Sequence, residues 1–303
     1  MVYISVIIPS YNRKDFLLNA IKSVLNQTVD KKYYEIIVIK NYNDDKIDNF
    51  INRNNIKNIS CNDKSLPAKI YKALKNANGD IISFLDDDDL FFNSKLEYVY
   101  NLFKYNDNLV YYHNYYYPVD CTGKYKNFVN NNIDFNNSCI TIKKDSIDLN
   151  KLKKISALTD TFFYLSAMDS GGKKIINKKI LTYYTVHDGV SNFTTDNFEE
   201  YKNKKIKFLD ISLNELYKFT ILFNNKKVSN RIYSHITDIK MDKFLWGFYN
   251  EHPSKVINFI LDRDRPLKNR IMKVSYYIIV LLYPSYFIKY ALKKRKNDFI
   301  KMI

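Results

Sequence analysis

The segment from Phe84 to Asp89 places four consecutive carboxylates, Asp86, Asp87, Asp88 and Asp89, close behind an apolar run that begins at Ile81. Like charges one residue apart repel more strongly as water is excluded, so a fold tolerates such a cluster mainly where a cation neutralises it. Hard carboxylate oxygens suit Mg2+ or Mn2+, which bind through one or two carboxylates together with the phosphates of a substrate. A second reading stays open: a solvated acidic loop at the start of the next helix, where Asp is favourable in any case.

The elements around the cluster follow from apolar periodicity. Ile4 to Ile8, ended by Pro9, reads as a buried strand of a parallel sheet, and Ile36 to Ile39 as a second. Between them Asn12 and Asp15 have the spacing of a capping box before a helix with Phe16, Leu17, Ala20, Ile21, Val24 and Leu25 on one face. Ile59 to Cys61 is expected to form a short third strand, Pro67 to Ala77 a helix stopped at Asn78 and Gly79, and Ile81 to Leu85 the strand that delivers the carboxylates. Strands alternating with helices at this spacing predict a doubly wound α/β sheet, in which ligands sit beyond the carboxyl ends of the strands. The loops Ser10 to Arg13, Asn41 to Asp45 and Asp86 to Asp89 are then expected to converge on one crevice.

Together these residues resemble a known family. The opening from Ser5 to Arg13, the segment from Asn78 to Asp89 and the following Lys95 to Glu97 are similar to the family 2 glycosyltransferases, which have the GT-A fold, over about residues 3 to 191. The resemblance implies a Rossmann-like, mostly parallel sheet flanked by helices in residues 1–192, followed by a mostly helical extension in residues 193–303. It implies transfer of a sugar, with inversion, from a nucleotide-diphosphate sugar to a hydroxyl of a glycan or lipid-linked acceptor, assisted by Mn2+ or Mg2+. Pro9, Tyr11, Arg13, Asn41, Asp86 and Asp87 are then expected at the nucleotide sugar, and Asp88 and His187 at the metal. Asp89 backs the cluster or caps the next helix. Asp160, in the segment from Leu158 to Met168, matches the family's catalytic base; the open alternative is that it only caps a helix. His187 is either a metal or diphosphate ligand or an ordinary loop residue, and His113 is read as structural.

Three places depart from the family's pattern. Lys40 and Asn41 stand where an acid usually reads the nucleotide base, although an amide still offers a donor and an acceptor. Thr159 stands before Asp160 where the family has Glu. Ile70 and Tyr71 occupy the places of an Arg and an Asn near the phosphates, and the flanking Lys69 and Lys72 are expected to be solvated on an amphipathic helix. These changes motivate an alternative: an inactive sugar-nucleotide-binding or scaffold protein.

The formal net charge is +16, but it is unevenly placed. Residues 1–192 hold 26 Lys and Arg against 21 Asp and Glu, while the last 49 residues hold 12 against 3, so basic charge belongs to the tail. No nucleic-acid-binding module accompanies it, which excludes nucleic acid as the expected partner. Cys61, Cys121 and Cys139 form no C-x-x-C pair, so neither a zinc site nor a disulfide framework is indicated. The N-terminus enters the first strand at once, without the pattern of a secretion signal, and a cytoplasmic protein is expected. Val274 to Ile288 is almost uncharged but too short to span a bilayer and is interrupted by Pro284. Together with the basic residues up to Lys296 it reads as a peripheral membrane contact on the cytoplasmic face. The alternative is a buried core helix.

Overall fold

The computed structural model describes residues 2–120, 122–125, 136–186, 195, 197–247 and 257–302. The chain divides into two compact units, Met1–His187 and Asp188–Ile303.

The first unit runs β1 (Ile4–Ser10), α1 (Lys14–Leu25), β2 (Tyr34–Lys40), α2 (Asp45–Arg53), β3 (Lys57–Ser60), α3 (Leu66–Asn76) and β4 (Ile81–Phe84). It continues with β5 (Leu90–Phe91), α4 (Lys95–Lys104), β6 (Leu109–Val119), β7 (Ile140–Lys143), α5 (Leu149–Leu152), α6 (Thr159–Asp169) and β8 (Lys173–Thr185). These form one eight-stranded sheet in the order β3-β2-β1-β4-β7-β6-β8-β5. The four leading strands are parallel, β7 runs antiparallel to β4 and β6, and β6 and β8 pair in parallel. This is the mixed α/β architecture that the alternating pattern predicts.

All seven residues of β1 are buried, because helices cover both faces of a parallel sheet and its strands are apolar on both sides. On one face Ile4, Val6 and Ile8 share a core with Leu17, Ala20, Ile21 and Val24 of α1 and with Ile36 and Val38 of β2; α3 also packs against β1 and β2. The capping box expected at Asn12 and Asp15 does not form. Arg13 is the N-cap of α1 and makes no side-chain cap bond, while Asn12 turns into the left-handed region at φ 56°. Asn is among the few side chains that tolerate this conformation, and it redirects the Asn12 amide towards β2.

β4 enters the sheet through a close contact. A Cβ on Gly79 would lie 2.5 Å from the Ser5 amide nitrogen and 2.7 Å from Ser5 Oγ, so only glycine fits there. Ser5 Oγ accepts from the Gly79 amide at 2.8 Å and donates to Glu35 at 2.6 Å. Glu35 also accepts from the Asn78 amide at 2.6 Å and faces Lys57 Nζ at 2.7 Å. Burial would raise its carboxyl, but the bonds from Lys57, Ser5 and Asn78 outweigh this and hold it below the usual 4.5. A depressed carboxyl contributes stability that is complete above its unfolded value and is lost as pH falls through the folded one. Glu35→Gln is therefore expected to cost about 1–3 kcal/mol at neutral pH. In denaturant titrations the gap to wild type should close as the pH falls through the lowered titration of Glu35, below the usual carboxylate range.

The second unit runs α7 (Phe198–Leu222), α8 (Lys226–Leu245), α9 (Ile257–Leu261), α10 (Leu267–Leu282) and α11 (Pro284–Met302). Asn197 caps α7 by accepting from the amides of Glu199 and Glu200, and Asn225 caps α8 through the Lys227 amide. Met241, Phe244, Leu245, Phe259, Tyr277, Val280 and Ile288 form its terminal core. Three aspartates bind the helices together: Asp262 pairs with Arg231 and Arg265, Asp238 with Arg265 and Lys273, and Asp242 with Arg295. The segment from Val274 to Ile288 is not one helix. It breaks at Tyr283, and α10 and α11 meet at a bend of 113°, with Pro284 at the first position of α11, where its missing N–H costs nothing. Among the described residues no single helix is long and apolar enough to cross a membrane.

Candidate active site

The β1–β4 pairing extends one residue past the strand, with the Leu85 amide donating to Ile7 O at 3.0 Å. The chain then turns, closed by the Asp89 amide on Asp86 O at 3.1 Å. Exposure alternates along the turn: Asp87 and Asp89 are 4% and 1% exposed, while Asp86 and Asp88 are half-buried. The Asp86 amide donates to Ser138 Oγ at 2.9 Å, and Asp89 Oδ1 accepts from the Thr185 amide at 2.9 Å.

Burial and mutual repulsion dominate the electrostatics. Asp87 is pushed up to about 6, by burial first and then by Asp88. Asp89 is pushed up to about 7 by the same two causes. Asp86 lies well above the usual carboxylate range, through burial and then its three acidic neighbours. Arg13 reaches in from the start of α1, pairing with Asp88 and lying 3.4 Å from Asp87. Burial works to lower its guanidinium, yet Asp88 and Asp87 hold it above the ordinary value.

The ends of β1 and β2 lie side by side, with Ser10 beside Lys40 and the buried Pro9 beside Ile39. Asn41 donates to Asn12 Oδ1 at 2.8 Å and accepts from the Asn12 amide at 3.0 Å, which locks the two loops together. Tyr42 Oη bonds to Ser10 Oγ at 3.0 Å and donates to the Arg13 carbonyl at 3.2 Å. Lys40 is turned inward, 3% exposed, with Nζ 2.8 Å from Asp48. Of the two residues at the acid's expected place, only Asn41 therefore remains towards the loops.

Lys69 corrects the sequence reading. It is not solvated but 2% exposed, with Nζ 4.4 Å from the centre of the Tyr11 ring. Burial lowers its ammonium, opposed by Cys61, Asp63 and Asp87. Lys72 is exposed, as expected, and donates to Ser60 O.

Asp160 sits in the first turn of α6, whose residues from Thr161 to Met168 are all buried. The cap position belongs to Leu158, at φ 55°, and Asp160 Oδ1 accepts the adjacent Thr161 amide, so Asp160 is not the cap. Phe163, one turn on, stacks on Phe84 at 4.3 Å and 14°. Thr159 Oγ1 donates to Asn137 Oδ1 at 3.2 Å. The 3-10 turn Asn137–Cys139 thus holds the Asp86 backbone through Ser138 and the start of α6 through Asn137. Lys95, fully buried, donates to the Ser138 carbonyl and to Thr182 Oγ1 at 3.1 Å from behind the turn, and burial pushes it down to about 7. The sequence carried no signal for Ser138 or Asn137, because their partners are 52 and 22 residues away. His113 is buried on β6 and pushed down to about 3, by burial and then by Lys95; His187 lies outside the described residues.

For a divalent cation the test is the charge at the turn. Among the described residues no group of three His, Cys, Asp or Glu side chains is arranged to hold a metal. Mg2+ and Mn2+ do not require one, since they use one or two carboxylates and take the rest from phosphates and water. Four carboxyls have one cation in direct contact, Arg13, and the nearby Lys69 and Lys95 are themselves lowered by burial, so three of the carboxyls stay pushed upward and the set is short of positive charge; Asp86 and Asp88 are its more accessible members. The residues fit the ion.

This sheet with an acidic turn at the end of its fourth strand defines an α/β protein of the GT-A type. The chain matches the model of glycosyl transferase family 2 over residues 5–184, and it belongs to that family. The chain spans about a fifth of the length of the first curated relatives it matches, rickettsial proteins 34–37% identical over 126 to 131 residues. An Escherichia coli UDP-Glc:α-D-GlcNAc-diphosphoundecaprenol β-1,3-glucosyltransferase is 28% identical over 240 residues, 74% of this chain and 92% of that one. Among solved structures, Staphylococcus aureus TarS with UDP-GlcNAc superposes with a TM-score of 0.60 at 15% identity, covering 98% of this chain and 89% of that one. A Pyrobaculum calidifontis mannosyltransferase with GDP-Man and Mn2+ gives 0.58 at 10% identity, covering 99% and 87%.

Ser138→Ala removes the acceptor of the Asp86 amide, and leaving a buried donor unsatisfied costs about 1–3 kcal/mol. Thermal unfolding is expected to show that loss, and nucleoside-diphosphate affinity should fall with it; unchanged values of both would contradict the tether.

Proposed function

We propose that the protein is a metal-dependent inverting glycosyltransferase, moving a sugar from a nucleotide-diphosphate sugar to a hydroxyl of a glycan or lipid-linked acceptor. The observation that carries this reading is that Thr159, the residue before Asp160, and the Asp86–Asp89 turn, distant in sequence, are held by neighbouring residues of one short turn, with the Phe84–Phe163 stack beside them. One station thus receives a proton while the other holds a leaving diphosphate, as a single displacement requires.

In the proposed reaction the acceptor oxygen bonds to the anomeric carbon as the bond from that carbon to the diphosphate breaks. The Asp160 carboxylate takes the acceptor's proton, and the nucleoside diphosphate leaves with the bonding pair. Arg13 and Lys69 supply fixed positive charge near the diphosphate, while Pro9, Tyr11 and the Asn12–Asn41 pair line the nucleoside end. Asp88 would hold Mn2+ or Mg2+, with His187 as a further ligand and Asp86 and Asp87 beside the donor, and the ion would neutralise the diphosphate's growing charge. We assign this chemistry to residues 1–192 and the helical region to 193–303.

The Escherichia coli relative is named for a UDP-sugar donor and a diphosphoundecaprenol acceptor, which supports a UDP-sugar and a lipid-linked acceptor here. The mannosyltransferase described with GDP-Man and Mn2+ supports the metal. A non-catalytic nucleotide-sugar-binding protein is the second reading, favoured by Lys40 being paired with Asp48 where the family has a base-reading acid.

Asp160→Asn separates the two. Transfer to acceptor, followed by release of nucleoside diphosphate, is expected to drop by about 100-fold or more, with nucleotide-sugar affinity nearly unchanged. Equal turnover of wild type and variant would sink the assignment of the base, and no turnover by wild type across nucleotide sugars would favour the binding protein.

A further inference from the structure

The second unit carries an apolar surface that the transfer reaction does not use. On α10, Leu267, Ile271, Ile278 and Leu282 are 60%, 58%, 49% and 67% exposed. Their spacing of four, seven and four residues puts them on one face, as a stripe about 22 Å long. Met272 and Ile279 widen it. The opposite face is already used: Tyr277 and Val280 are packed with Met241, Phe244 and Phe259, and Tyr277 Oη donates to Asp238. A helix apolar on two faces, with only one of them buried, presents the other to a partner.

Charge identifies the partner's chemistry. From 265 to 297 the chain has nine Lys and Arg and no Asp or Glu. Arg265, Lys273 and Arg295 are drawn inward onto Asp262, Asp238 and Asp242. Lys268, Lys289, Lys293, Lys294 and Lys296 are exposed. Beyond the 113° bend, α11 adds the exposed Tyr286 and Tyr290, and Tyr283 stands exposed at the bend itself. Exposed aliphatic residues, tyrosines and lysines together are the three kinds of side chain that an interfacial helix sets against acyl chains, headgroups and anionic phosphates. A second copy of this face would bring like charges together, whereas an anionic lipid surface complements them.

We propose that the bent pair α10–α11 docks flat on an anionic lipid bilayer, with the Leu267–Leu282 stripe in the acyl boundary and the α11 lysines at lipid phosphates. The proposal does not rest on glycosyl transfer, and its failure would leave that reading untouched.

The test is flotation of the full chain with phosphatidylcholine vesicles, with and without phosphatidylglycerol, at low and at physiological salt. Wild type is expected to float with the anionic vesicles and to stay behind with the neutral ones. A variant combining Leu267→Gln, Ile271→Gln, Ile278→Gln and Leu282→Gln should lose binding by at least about tenfold, and so should one with Lys289, Lys293, Lys294 and Lys296 changed to Gln. All eight side chains are exposed, so both variants should unfold at the wild-type temperature. Three results would overturn the proposal: no flotation of wild type, variants that float like wild type, or a wild-type dimer that the stripe variant turns into monomer, which would make the stripe a self-interface.

Discussion

The first unit depends on one electrostatic constraint: four consecutive carboxyls delivered by β4 into a half-buried turn. Repulsion and burial would drive such a turn towards water, and the protein restrains it from three sides. Arg13 supplies charge from the start of α1, Ser138 takes the Asp86 amide, and the Thr185 amide at the end of β8 takes Asp89. These bonds hold one backbone amide and two side chains of the turn, yet burial first and mutual repulsion second keep Asp86, Asp87 and Asp89 above the usual carboxylate range. The remaining charge deficit is the physical case for a cation at Asp88.

The sheet's mixed order gives that turn its neighbours. The parallel strands β1, β2 and β4 bring the Arg13 and Asn41 loops to the same edge as the acidic turn. The antiparallel return of β7 beside β4 places the Asn137–Cys139 turn at Asp86, and α6 packs by Phe163 on the last residue of β4. Lys95, buried behind the turn, fixes its carbonyl. The acidic turn and the start of α6 are thus both tied to the Asn137–Cys139 turn, through the side chains of Ser138 and Asn137, an arrangement that limits their relative motion.

The sequence indicated those parts whose signal is local. Strands β1, β2 and β4 are continuous apolar runs, and the acidic cluster is contiguous, so both could be found without partners. What it hid depends on pairing over long distances. Lys69 has the helical spacing of a solvated lysine, and only the packing of Tyr11 over it reveals a buried cation. Ser138 and Asn137 are ordinary polar residues until β7 brings them to Asp86 and Thr159. Asn12 offered a capping pattern, but its left-handed backbone gave its amide to Asn41 Oδ1 instead. The tyrosine-rich β6 has no clean alternation, since its tyrosines lie on both faces of the sheet. In the tail, Pro284 marked the break between α10 and α11, but nothing local gave its angle of 113°.

The most direct test of the cation at the acidic turn is calorimetric titration of a nucleoside diphosphate into wild type and Asp88→Asn, with Mn2+ and with chelator. The account predicts that wild-type affinity falls by at least about tenfold on chelation, and that Asp88→Asn binds at the weak level under both conditions. Wild-type affinity that is the same with Mn2+ and with chelator would contradict it.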